Sequence, residues 1–292
     1  MSLGVTSRSL RGISAAVALI SVGAVGCSEA LDSAKSGAKQ VVRQRSVFSL
    51  AAGDCYNPNN GAPKSEEFSV EVVPCQEPHQ GQVVGDFKID GQSAYPGEDK
   101  TAQIADGRCP AKAQKFTPDA WAMPKGVDVY YYSPTKESWA AGDRAVSCTY
   151  TKESGTFSGS LKSKPLNADQ LAYLKGSNAV YEALWTNQPE AEQVEDDLAG
   201  YKKQAKAVAA ALGTHLTALK SIQQPETVKL RARLEEAAGA WEKAASAGDT
   251  DAFHLAYDGA FSGINPGKTV AARKELKLAT TVPADEAEAW AD

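Results

Sequence analysis

Glu190-Ala-Glu-Gln-Val194-Glu-Asp-Asp-Leu198-Ala-Gly-Tyr201-Lys-Lys-Gln-Ala205-Lys-Ala-Val208-Ala-Ala-Ala-Leu212-Gly-Thr-His215-Leu216-Thr-Ala-Leu219-Lys-Ser-Ile222 decides how the second half of this chain folds. Its apolar residues recur in steps of three and four, the stripe of an amphipathic helix. The same reading extends to both sides. Leu171, Leu174, Tyr181 and Leu184 predict a helix over 167–185, with Asn167 as its N-cap. Pro225 opens a further helix carrying Leu230, Leu234, Ala237 and Trp241, which ends near Ala247-Gly248. Shorter helices are expected over 249–261 and 269–277. Each is apolar along one face only, so the set must pack on itself as a helical bundle over 165–292. Tyr201, Trp241 and Phe253 sit on these stripes as core residues.

Upstream of Pro165 the composition changes. Residues 68–72 and parts of 83–89 and 127–132 alternate apolar and polar, the period of a half-buried strand. Asn57-Pro-Asn-Asn-Gly61, Tyr95-Pro-Gly97, Ser133-Pro134 and Ala141-Gly-Asp143 read as turns between them. Thr101 to Phe116 predicts a helix that Pro110 either breaks or restarts. The fold class is therefore α+β: a small domain over 46–164, followed by an all-α bundle.

The amino terminus reads as an address. Arg8 and Arg11 precede a mostly apolar run from Ile13 to Gly26, which ends at Cys27 behind the small residues Ala24 and Gly26. That is the layout of a bacterial lipoprotein signal over 1–26. As a helix it would reach about 21 Å, short of the roughly 30 Å hydrocarbon core. Cleavage would leave Cys27 for diacylation, and two acyl chains suffice for stable anchoring. Ala24 stands where lipoprotein signals favour Leu, so an ordinary secretory signal is the competing reading. Residues 27–45 read as a flexible tether whose Lys35, Lys39, Arg43 and Arg45 either touch anionic headgroups or merely solubilise the chain.

Of the five cysteines, Cys27 is accounted for by the lipid. Cys55, Cys75, Cys109 and Cys148 remain, an even and clustered set that in an exported chain reads as two disulfides. Three connectivities are possible, and the sequential one is favoured: Cys55–Cys75 and Cys109–Cys148. The spacings lack the close cysteine pair of a zinc site. Net charge is −5, with no basic, aromatic-laced stripe, which argues against nucleic-acid binding.

The three histidines, His79, His215 and His254, belong to no hydrolase or metalloprotease motif. Gly263-Ile-Asn-Pro-Gly267-Lys268-Thr269 falls short of a phosphate loop, because Ser262 stands where the repeat needs glycine. Ser133-Pro-Thr-Lys136 matches S-x-x-K but lacks its companion motifs, and a turn explains it. Glu66-Glu67 and Asp196-Asp197 do not converge on one reaction centre. No cofactor, no metal and no catalytic residue is assigned, so the chain is expected not to be an enzyme.

Gly53-Asp-Cys55, Val72-Val-Pro-Cys75 with Pro78-His79, Val83-Val-Gly85, Tyr95-Pro-Gly97, Cys109, Trp139-Ala-Ala-Gly142-Asp143-Arg144, Cys148 and Gly159-Ser-Leu161 follow one another in an order of their own. Together they resemble the septum-formation domain of actinobacterial envelope proteins over about residues 46–164. The resemblance implies an extracytoplasmic, often membrane-tethered domain with paired cysteines, no established catalytic residues and a link to cell division. It does not reach the helical half. Within it, His79, Trp139, Asp143 and Arg144 are the candidate interaction residues. The structural alternative makes Trp139 core, His79 the cap of the loop after Cys75, and Asp143 with Arg144 anchors of a turn before the Cys148 strand.

The expected function is that of a lipid-anchored protein on the extracytoplasmic face of the cell membrane. It would bind an envelope or division protein. A substrate-capturing lipoprotein serving a transporter is the alternative, and an unfamiliar cell-wall-active enzyme is a third, weaker one.

Overall fold

Antiparallel pairing of six short strands builds the first unit of the chain, seen here in a computed structural model that describes residues 43–59 and 69–290. The signal segment 1–26, Cys27, the tether as far as residue 42 and Phe68 lie outside the described residues. The strands are β1 (Gln44–Ser46), β2 (Cys55–Pro58), β3 (Ser69–Val73), β4 (Gly81–Lys88), β5 (Val127–Tyr132) and β6 (Ala145–Lys152), in the order β1-β3-β2-β4-β6-β5. A 19-residue helix, α1 (Glu98–Phe116), packs against β4, β5 and β6, and the short α2 (Lys136–Ala140) precedes β6.

Two expectations change here. Pro110 neither breaks nor restarts α1, which runs through it from Glu98 to Phe116. The last tether residues are not free coil. Gln44–Ser46 pair with Ser69–Glu71, Arg43 is held by Glu71 and Glu77, and Arg45 by Asp54, so both arginines are engaged by carboxylates of the fold. A backbone ladder together with three carboxylates outweighs the small, polar composition that reads as linker.

Strand β6 shows how the sheet is sandwiched. Val146, Cys148 and Tyr150 alternate with Ser147, Thr149 and Thr151, and all six are buried. The first face meets α1, where the Tyr150 hydroxyl donates to the Ala113 carbonyl and Cys148 bonds Cys109. The second face satisfies its hydroxyls internally: Ser147 reaches the Val47 carbonyl, and Thr149, Thr151 and Tyr56 form a buried hydroxyl chain. Gly81 permits this. A Cβ there would come within 2.3 Å of the Tyr56 ring.

The second unit comprises Thr117–Lys125 together with everything from Ser163 onward. The sequence pattern places Thr117–Lys125 within the α+β domain of 46–164, yet it packs with the helices. The chain thus leaves the first unit after Phe116, returns at Gly126 and leaves again after Lys162. The helices are α3 (Ala168–Thr186), α4 (Leu198–Leu219), α5 (Pro225–Ser246), α6 (Thr250–Gly263), α7 (Val270–Glu275) and α8 (Ala284–Glu288). Asn167 caps α3 in a reciprocal box with Gln170. The long helix begins at Leu198 rather than Glu190, because Asp197 accepts from Gly200 N and caps it there. Val194 is buried all the same, from a loop.

Successive helices run antiparallel. Gln204, early in α4, donates to the Leu184 carbonyl late in α3, and Lys202 donates to the Ala247 carbonyl just past α5. Their shared core includes Tyr173, Leu212, Leu219, Leu230, Trp241 and Phe253. No helix among the described residues is long and apolar enough to cross a membrane.

Candidate functional site

The first unit places its chemistry-bearing residues around two disulfides. Cys55 bonds Cys75 and Cys109 bonds Cys148, the sequential pairing. The first joins β2 to the end of β3, and the second ties α1 to β6.

Trp139, Asp143 and Arg144 do come together, in the turn that feeds β6. Thr135 and Ser138 form a capping box that starts α2. The Ser138 hydroxyl donates onward to Asp143 Oδ2 at 3.1 Å, while Ala145 N donates to Asp143 Oδ1 at 2.9 Å. Gly142 supplies the positive φ, +95°, that closes the turn. One guanidinium nitrogen of Arg144 donates to the Trp139 and Asp143 carbonyls, both at 2.7 Å, and the guanidinium carbon lies 3.8 Å from the Trp139 ring centroid. Trp139 itself is buried, with Tyr95 edge-on at 5.8 Å. The cluster is a cation–π stack in which one guanidinium nitrogen is tied to two backbone carbonyls of the turn.

His79 stands apart. In the β4–β6 ladder Gly81 pairs with Thr151 and Lys88 with Ala145, so His79 and Arg144 flank opposite ends of those strands, about 30 Å of extended chain apart. The imidazole is fully buried, and its Nδ1 lies 2.8 Å from the Glu77 carbonyl, which only accepts; the proton is therefore on Nδ1. Phe157 packs edge-on at 4.3 Å and exchanges backbone hydrogen bonds with His79. His79 thus caps the loop after Cys75, and with no exposed surface it is not a contact residue in this conformation.

Gln82, which the sequence did not single out, organises that end. It is buried. Its amide nitrogen donates to the Gly53 carbonyl and the Ser160 hydroxyl, and its amide oxygen accepts from Leu161 N at 2.7 Å. Gly159 N donates to the Cys75 carbonyl, so the Gly159-Ser-Leu161 strap, the loop before Cys55 and the first disulfide share one side chain. The sequence carried no signal for it, since plain alternation sets Gln82 beside Val84, Asp86 and Lys88, and only the irregularity between Val83 and Gly85 changes that face.

The helical unit also buries polar groups, among them Arg273, Asp119 and His215. Arg273 lies over the Trp121 ring at 3.9 Å, donates to the Ala279 carbonyl and bonds Asp119, whose other oxygen accepts from Ala279 N. This ion pair pins Thr117–Lys125 to the bundle. His215 packs against Gly176, where a Cβ would fall 2.0 Å from Nδ1, and burial pushes its pKa down to about 4. It lines a cavity of about 20 Å³, room for a single water, with Ser177, Tyr181 and Thr269 also at the wall.

The disulfide-bearing strands, the Gly-Asp-Arg turn and the buried Pro-His corner meet a known pattern here. Residues 22–148 match the septum formation family model. The match takes in Cys27, all four paired cysteines, His79, Gln82, Trp139, Asp143 and Arg144. The septum formation stretch stops at Cys148, so β6 beyond it, the Gly159–Leu161 strap and the long helices lie outside. No curated protein and no solved structure matches the chain.

Proposed function

We propose that this protein is a lipid-anchored, extracytoplasmic interaction module that acts in septum formation without itself being an enzyme. The observation that carries the reading is the septum formation match over 22–148, a stretch that contains both disulfides of the first unit and Cys27. Two disulfides in one unit suit an oxidising compartment outside the cytoplasm. The Trp139–Asp143–Arg144 turn, built to hold a loop rigidly, supports a scaffold for recognition, since rigid elements keep contact residues in register.

The anchor is tested by growth with a radiolabelled fatty acid. Wild-type protein takes up label and Cys27→Ala does not; equal labelling removes the anchor. The module reading is tested by crosslinking in intact cells. A division or wall-synthesis protein should be recovered, and recovery of lipid alone counts against it.

A further inference from the structure

The two disulfides of the sheet unit sit in unequal surroundings. Thiol–disulfide exchange proceeds by attack of a thiolate on one sulfur while the other leaves, and it follows access. Cys109 and Cys148, 1% and 0% exposed, are sealed between α1 and β6, so no attacking sulfur reaches their bond in the folded chain. Cys55 is sealed in the same way, at 1%, but its partner Cys75 stands half-buried just past the end of β3, between the exposed Pro74 and Gln76. One cysteine of the four is therefore open to approach from solvent.

The groups around Cys75 suit it to that chemistry and couple it to a neighbouring segment. The buried Gln82 amide donates to Cys75 Sγ at 3.6 Å, an N–H placed to stabilise the thiolate that forms when the bond opens. The same amide nitrogen donates to the Ser160 hydroxyl, its oxygen accepts from Leu161 N, and the Cys75 carbonyl accepts from Gly159 N at 2.6 Å. One tie of the Gly159–Leu161 strap thus rests on a loop that the disulfide fastens to β2. Just beyond the strap, at Ser163, the chain passes into the helical unit.

We propose that Cys75 is a thiol-exchange site: a small external thiol opens Cys55–Cys75, leaves Cys109–Cys148 closed, and thereby releases the Gly159–Leu161 strap. The external thiolate attacks Cys75 Sγ to form a mixed disulfide, and the electron pair of the broken bond leaves on Cys55 Sγ, which takes a proton from water. A second external thiolate attacks the external sulfur of the mixed disulfide, and the Cys75 thiolate leaves beside the Gln82 amide and is protonated in turn. Two external thiols are oxidised to one disulfide, and the same two electrons reduce Cys55 and Cys75. Gly159 loses its fixed acceptor as the Cys75 loop comes away from β2, whereas β6 and α1 stay tied by the second bridge. The inference stands on the sheet unit and does not need the interaction-module reading.

The test uses the full-length chain with Cys27→Ala, so that only the four sheet-unit cysteines react, and reduced glutathione as the probe. Samples are quenched in acid, and peptide masses locate the adducts. Glutathione should appear on Cys75, and iodoacetamide should label Cys55 and Cys75 at least about tenfold faster than Cys109 and Cys148. Hydrogen exchange on the opened form should show the Gly159 amide losing at least about tenfold of its protection, with the β6 amides unchanged. Adducts on Cys55 rather than Cys75, equal labelling of both pairs, or no reaction of the folded chain overturns the exchange site. An unchanged Gly159 amide, or β6 amides that lose protection along with it, overturns the coupling to the strap.

Discussion

At the scale of single residues, polar side chains that bury themselves carry the specific information in this molecule. Burial alone depresses His215, with a folded pKa of about 4 against 6.5 when unfolded. Above pH 6.5 both states are neutral, and no stability is at stake. As pH falls from 6.5 toward 4 only the unfolded state takes up the proton, so the helical unit should lose up to about 3 kcal/mol over that window. Urea unfolding of the wild type and of His215→Leu, followed across that range, checks this. The leucine variant should show a flatter slope, and an identical slope would assign the acid sensitivity elsewhere. In the sequence His215 was legible as a helical residue in step with Val208, Leu212 and Leu219, but nothing local said that an imidazole would be buried there. What buried it is Gly176, whose missing Cβ lets the ring sit against α3. Gln82 was illegible for the same kind of reason: its three partners come from residues 53, 160 and 161, distant in sequence, and only the fold brings the Gly53-Asp-Cys55 and Gly159-Ser-Leu161 motifs to one side chain.

At the scale of elements, a buried ion pair is one of the ties that hold the strap Thr117–Lys125 in the helical unit, beside the hydrogen bonds of Trp121 to Glu286 and of Asn178 to the Pro118 carbonyl. Removing one partner strands the other charge in the interior, so Asp119→Ala should destabilise the helical unit by about 3–5 kcal/mol, whereas replacing both by apolar residues of similar size should cost much less. Thermal unfolding of the two variants decides it, and equal losses would argue against a desolvated charge. Lys277 ends α7 with φ of 57°, a left-handed conformation that a lysine Cβ disfavours. Lys277→Gly should therefore raise stability by about 0.5–1 kcal/mol, read as an increase in melting temperature. Most long helices were legible because their stripes and caps are local: Asn167, Pro225 and the Leu-rich steps each act within a turn or two. β2 was not, because Asn57-Pro58 reads as a turn, and only pairing with Val70 and Glu71 makes those residues a strand. The short-range pattern for 190–197 likewise favoured helix, and the Asp197 cap overrode it.

At the scale of the whole molecule, every paired cysteine lies in the first unit and none in the second. Closing loops of 20 and 39 residues contributes about 3 and 4 kcal/mol on the chain-entropy account, comparable to a small domain's net stability. Reductant should therefore lower the melting of the sheet unit while leaving the helical unit's transition in place. Near-ultraviolet and far-ultraviolet circular dichroism, followed together, separate the two. A common shift of both transitions would contradict that independence.

By itself the sequence determined the α+β-then-helical order, the cysteine set with its favoured pairing, the helical stripes and the resemblance to septum-formation domains. All of these are written in local period, composition or a linear motif. Only the tertiary structure decided that Thr117–Lys125 belongs with the helices, that His79 is sealed while Trp139 and Arg144 stack, and that Gln82 clasps the first disulfide. Those outcomes rest on contacts between residues tens to more than a hundred positions apart, where burial and hydrogen-bond satisfaction, not local propensity, set the free energy.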